Sequence, residues 1–143
     1  MPAALAAAGI AFLVASATIA QERIVAIVHP RNPVTRVSDA DLRNMFLGRE
    51  KFWEDGTPVQ PYVRPESSDA GRLLHRQVLR MTPARFRHHW QGLQLSGRGT
   101  APGSVSSGRS AIARVAAARG GLSIVTQTEA RAAGSHVKVV EIR

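Results

Sequence analysis

Val59-Gln60-Pro61-Tyr62-Val63-Arg64-Pro65-Glu66-Ser67-Ser68-Asp69-Ala70-Gly71 changes secondary structure partway along. Val59 to Val63 alternates and reads as a strand. A helix is expected to begin near Ser67 or Ser68, either a good N-cap, and to continue through Leu73, Leu74, Val78 and Leu79 at helical spacing. A strand that hands over to a helix is the unit of an α/β fold. The handover also carries chemistry. The free amides and positive dipole end of a helix suit an anion, and two serine hydroxyls with an arginine complete a set of donors. Arg64, Ser67 and Ser68 are therefore the candidate ligand-binding residues, for a small oxyanion. The plainer reading of the same residues is a serine that only caps the helix and an arginine that only faces solvent.

The flanking sequence repeats the pattern. Ile24-Val25-Ala26-Ile27-Val28 is a β-branched run closed by His29-Pro30, a buried strand expected at the centre of a sheet. Ser38 caps a helix with Asp41 three residues on, an apolar stripe at Leu42, Met45 and Phe46, and a stop at Gly48. Glu54-Asp55-Gly56 is a turn, and Thr82-Pro83 starts a helix whose apolar face is Phe86 and Trp90. Residues 96–110 are rich in Gly and Ser and read as a long surface loop. Helix is expected again over 110–119, with Ile112, Val115 and Ala116 inward, until Gly120-Gly121 breaks it. A strand at Leu122–Val125, a short helix at Thr128–Ala133 and a last strand at Val137–Ile142 complete an α/β domain, a mixed sheet flanked by helices.

With 143 residues, one core is expected. The first charged residue is Glu22, and residues 1–21 are apolar or small, the profile of a secretory signal peptide. Export to the periplasm or beyond is thus expected, with a membrane anchor as the alternative, and the folded domain is 22–143. The absence of cysteine excludes disulfides, thiolate nucleophiles and cysteine metal sites. A net charge of +9 is spread along the chain without a dense basic run. It fits a solvated basic surface or an anionic partner; with no aromatics interleaved among basic residues, nucleic acid is not expected.

His88 and His89 are adjacent and cannot share a helix face, and no carboxylate stands at metal spacing, so no metal site is assigned. Ser96-Gly97-Arg98-Gly99-Thr100 could form an anion nest, but no P-loop lysine follows, and a plain loop is the reading. Trp53 and Trp90, with Phe46, Phe52 and Phe86, are expected in the core. No Ser-His-Asp arrangement follows from spacing. The chain reads as a binding protein, not an enzyme, and no cofactor is implied.

Several segments together carry a family likeness: Ile-Val and then Asn-Pro around residue 28, Asp41 to Gly48 (DLRNMFLG), Phe52 to Thr57 (FWEDGT), Arg64 to Ser68 (RPESS) and Gly120 to Val125 (GGLSIV). In order and spacing they resemble the phosphate-binding-protein-like family, the substrate-binding components of phosphate ABC transporters and their small relatives. The resemblance spans about Ile24 to Ile142. It implies one periplasmic-binding-protein-like lobe, an inorganic phosphate or similar oxyanion as ligand, and an ABC transporter or other envelope protein as partner. In that family a segment R-x-x-x-S-G-T at a helix start grips phosphate; Arg64, Ser67 and Ser68 match it, whereas Asp69-Ala70 stand where Gly-Thr would. The glycine-rich loop after the family's first strand is replaced by His29-Pro30-Arg31-Asn32-Pro33. One lobe leaves its ligand open to water unless a second copy or another protein supplies the missing wall. The expectation is an exported module for phosphate uptake or sensing, or else an envelope interaction protein that kept the fold and lost the ligand.

Overall fold

The computed structural model describes residues 22–143; the expected signal peptide at 1–21 lies outside them. A six-stranded mixed sheet is built from β1 (Ile24–Val28), β2 (Arg36–Val37), β3 (Gln60–Val63), β4 (Gly103–Ser104), β5 (Gly121–Thr126) and β6 (Lys138–Ile142), in the order β2-β6-β1-β5-β3-β4. β1 sits inside the sheet, as its unbroken apolar run requires, antiparallel to both β5 and β6. β3 runs parallel to β5 and to β4, and β2 runs parallel to β6.

Alternation along the strands divides the core between two faces. Ala26, Val28, Leu122 and Ile124 point to one side, where they pack with helix α1 (Asp39–Phe46) through Leu42, Met45 and Phe46 and with helix α3 (Pro83–Leu95) through Phe86 and Trp90. Ile27 and Val125 point to the other, against α4 (Gly108–Ala117) and α5 (Gln127–Ala133), which contribute Ala111, Val115, Ala130 and Ala133. Both tryptophans are buried, and each indole donates to a backbone carbonyl: Trp53 to Gly120 and Trp90 to Phe46, both at 3.0 Å. The polar end of each ring is therefore satisfied inside the core.

The caps follow the sequence closely. Ser38 accepts from the amide of Asp41, Thr82 from that of Arg85, and Gly48 takes the positive φ of 75° that ends α1. Gly48 also lies against the Trp90 ring, leaving no room for a Cβ.

Four expectations need correction. Phe52 is 54% exposed. It pairs with Pro58 across the turn at Glu54-Asp55-Gly56, and the two-residue period of extended chain turns Trp53 inward and Phe52 outward. The helix expected from Ser68 to Leu79 is α2 (Asp69–Leu73) continued by a π-helical turn at Leu74–Leu79, whose wider winding puts Leu74, Val78 and Leu79 all in the core. The long loop at 96–110 is shorter: Gly103–Ser104 pairs with β3 despite its weak strand propensity, and Ser107 caps a helix that has already begun at Gly108. In that helix Ala111 and Val115 are buried, whereas Ile112 and Ala116 are only partly so.

Gly92 sits on the exposed side of α3, where an added Cβ would touch nothing within 4 Å. Gly92→Ala is expected to stabilise the protein by about 0.5–1 kcal/mol, because Ala removes the backbone entropy that glycine loses in a helix. Equilibrium urea unfolding checks this; an unchanged or lower midpoint would contradict it.

Candidate oxyanion site

β3, β4 and β5 are mutually parallel, so their carboxyl ends share one edge of the sheet. Each is followed by a helix with a hydroxyl cap: Ser68 before α2, Ser107 before α4 and Thr126 before α5. Ligands of open α/β sheets characteristically sit outside such strand ends, and the first amides of each helix lack partners within it. Neighbouring strand ends have thus gathered three sets of donors.

Ser68 is the N-cap of α2. Its Oγ accepts from the Gly71 amide at 3.0 Å and donates to the Pro65 carbonyl at 2.6 Å. Both functions of the hydroxyl are therefore used in closing the turn. Gly71 is required beneath that turn, since a Cβ there would come within 2.0 Å of the Pro65 carbonyl oxygen. Ser67 is exposed at the tip and makes no side-chain hydrogen bond among the described residues. Asp69, whose charge would repel an anion, directs its carboxylate to Arg72 at 2.6 Å on its own helix.

The Arg64 side chain is only 8% exposed and donates through Nη1 to Glu129 Oε1 at 3.0 Å. No hydrogen bond joins it to Ser67 or Ser68. Glu129 is the residue that sequence reasoning missed. Its signal was present as Thr126-x-x-Glu129, a capping box: Thr126 Oγ1 accepts from the Glu129 amide, and Glu129 Oε1 accepts from the Thr126 amide at 3.0 Å. Its other oxygen lies so close to Gly108 that a Cβ there would overlap it. Burial pushes the Glu129 carboxyl upward, but the hydrogen bonds from Arg64 and from the Thr126 amide outweigh this and hold it below the usual glutamate range. An internal carboxylate therefore meets the guanidinium between two helix starts.

Arg64 also lines an open cleft of about 370 Å³ between the ends of β3 and β4 and one side of α3. Arg87, Gln91 and Gln94, at i, i+4 and i+7, supply its polar wall, and Ser104 and His75 add further polar groups. Arg87 is paired with Glu66 at 2.8 Å. Burial lowers the pKa of His75, which stacks edge-on against Phe86 with centroids 5.4 Å apart. Ser67 and Ser68 do not line this cleft.

The fold is α/β, a six-stranded mixed sheet flanked by helices, and it matches periplasmic-binding-protein-like folds. Solved structures with a similar fold include PstS from Borrelia burgdorferi (TM-score 0.64, 10% identity, covering 85% of this chain and 47% of that one). An ABC-type phosphate transport receptor from Vibrio cholerae matches with TM-score 0.57 and 15% identity, covering 85% of this chain and 46% of that one. The chain thus spans about half the length of the structures it matches. No protein-family model matches the sequence, and no curated protein does. No helix among the described residues is long and apolar enough to cross a membrane.

Proposed function

We propose that this chain is an exported solute-binding lobe that takes a small oxyanion, phosphate first, at the carboxyl ends of β3, β4 and β5. The observation that carries this reading is an arginine side chain more than nine-tenths buried beside the hydroxyl-capped starts of α4 and α5. A structural neighbour named as a phosphate transport receptor supports the choice of ligand. Arg64 supplies charge and its remaining N–H groups, Ser67 a free hydroxyl, and Ser68 the first-turn amides, while the Ser68 hydroxyl keeps the turn closed. A single lobe leaves the ligand wet, so tight binding would need a second wall from another copy or from an envelope partner such as an ABC transporter. No catalytic step enters the proposal.

Ligand that binds only the folded state raises its stability by mass action. At ten times Kd the gain is about 1.4 kcal/mol, or roughly 4 °C in Tm for a domain of this size. Millimolar phosphate is expected to raise the Tm of the purified protein, and the rise is expected to vanish in Arg64→Ala and shrink in Ser67→Ala. A second reading, an envelope interaction protein that has lost its ligand, is favoured by the Arg64–Glu129 pair, which already gives the guanidinium an anion. No thermal shift with phosphate, sulfate or arsenate would put that reading first.

A further inference from the structure

Five of the arginines form carboxylate pairs: Arg64 with Glu129, Arg72 with Asp69, Arg80 with Asp39, Arg87 with Glu66 and Arg119 with Asp55. The two arginines beside the β3–β4 cleft are both among them. The uncompensated charge lies elsewhere. Between the C-terminal end of α1 and the first half of α3 runs a cleft of about 540 Å³ lined by Arg43, Arg49, Arg85, His88 and His89 over a floor of Met81 and Ala84. No carboxylate lines it, and among the described residues none of the three guanidinium groups forms an ion pair or hydrogen bond. Arg43 Nε is buried without a partner. The nearest carboxylates in sequence, Asp41 and Glu50, line a different cavity beside Trp53.

Helix capping does not account for these arginines. Cations at a helix C-terminus commonly satisfy its last carbonyls, but those of α1 are all engaged by other groups. The Arg43 carbonyl accepts from Leu47 N, that of Asn44 from Arg49 N and Glu50 N, and that of Met45 from Gly48 N. The Phe46 carbonyl accepts from the Trp90 indole and that of Leu47 from His89 Nε2 at 2.8 Å. His89 is thereby fixed in place, and the arginines are left with charge and donors but no internal acceptor. Buried or crowded donors without acceptors are costly unless a ligand or solvent supplies them.

We propose that this cleft is a second anion-binding site, separate from the Arg64 site, that takes a phosphate-bearing group of more than one charge. Three planar guanidinium forks suit bidentate contact to phosphate oxygens, and three positive charges exceed what one phosphate neutralises, so two or more linked phosphates suit them better than one. The same chemistry could come from a soluble oligophosphate or from the headgroup of an anionic lipid.

Binding is to be measured by calorimetric titration of the purified protein with tripolyphosphate, and by co-sedimentation with vesicles of cardiolipin, whose headgroup links two phosphates, and phosphatidylcholine, against vesicles of phosphatidylcholine alone. Each guanidinium lost is expected to weaken binding about tenfold, as charge-assisted hydrogen bonds do. Arg49→Gln and Arg85→Gln, on exposed side chains, keep the fold, and their combination with Arg43→Gln is expected to abolish measurable binding. Tripolyphosphate binding that the three substitutions remove identifies a soluble ligand, and vesicle binding removed by the same substitutions identifies a headgroup. Absence of both, or binding that survives the triple substitution, overturns the proposal. Loss of binding in Arg64→Ala instead would return the anion to the first site, so the two readings fail separately.

Discussion

Glu129→Gln is expected to lower the unfolding free energy at neutral pH by about 2–3 kcal/mol, the cost of leaving a largely buried guanidinium without its counter-charge. Gln keeps the volume and one acceptor, so the loss reports charge. Replacing both partners, Arg64→Met with Glu129→Leu, is expected to recover most of it, since a buried ion pair replaced by apolar groups of similar size is often neutral or better. Urea unfolding of the two single variants and the double variant measures the coupling directly. The pH dependence has a definite sign. Because the folded-state pKa of Glu129 is depressed, its contribution is present above the ordinary glutamate range and is lost as pH falls through the folded value. The wild type should therefore lose more stability on acidification than Glu129→Gln. Parallel acid profiles would show that the pair carries no such coupling. Under the oxyanion reading, Glu129→Gln should also bind phosphate more tightly, because an internal competitor for Arg64 has been neutralised.

Gly71→Ala is expected to be as damaging, at about 3 kcal/mol, at the upper end of overpacking costs. The added Cβ would meet the backbone carbonyl of Pro65 at 2.0 Å, and a carbonyl cannot swing aside as the tip of a side chain can. The turn that holds Ser67 and Ser68 would have to move, so any phosphate-induced rise in Tm should be lost with the stability. Gly92→Ala is the matched control on another helix. If Gly71→Ala unfolds at the wild-type urea midpoint, the close approach of turn and helix is not a constraint.

The fold was legible in the sequence wherever a pattern depended on near neighbours. Hydrophobic period placed β1, α1 and α3, and Ser38, Thr82 and Gly48 marked helix ends by local bonding that needs no tertiary partner. What escaped depended on distant contacts. Gly103–Ser104 is a strand only because β3 lies beside it, and the π turn at 74–79 forms against the core. Phe52 shows that an aromatic residue next to a tryptophan can be turned to solvent by strand alternation alone. For the site, Arg64 and the serines could be named from residue type, but the Arg64–Glu129 pair spans 65 positions, and no local pattern specifies such a contact. The Thr126-x-x-Glu129 box was readable as a cap, although nothing near it in sequence announced a guanidinium.

The two outermost strands, Arg36–Val37 and Gly103–Ser104, have two residues each. Such stubs offer an incoming chain almost no ladder of free amides and carbonyls to extend. The stubs themselves therefore add little edge along which the sheet could lengthen across molecules, which lowers the tendency of a newly folded chain to clump edge to edge.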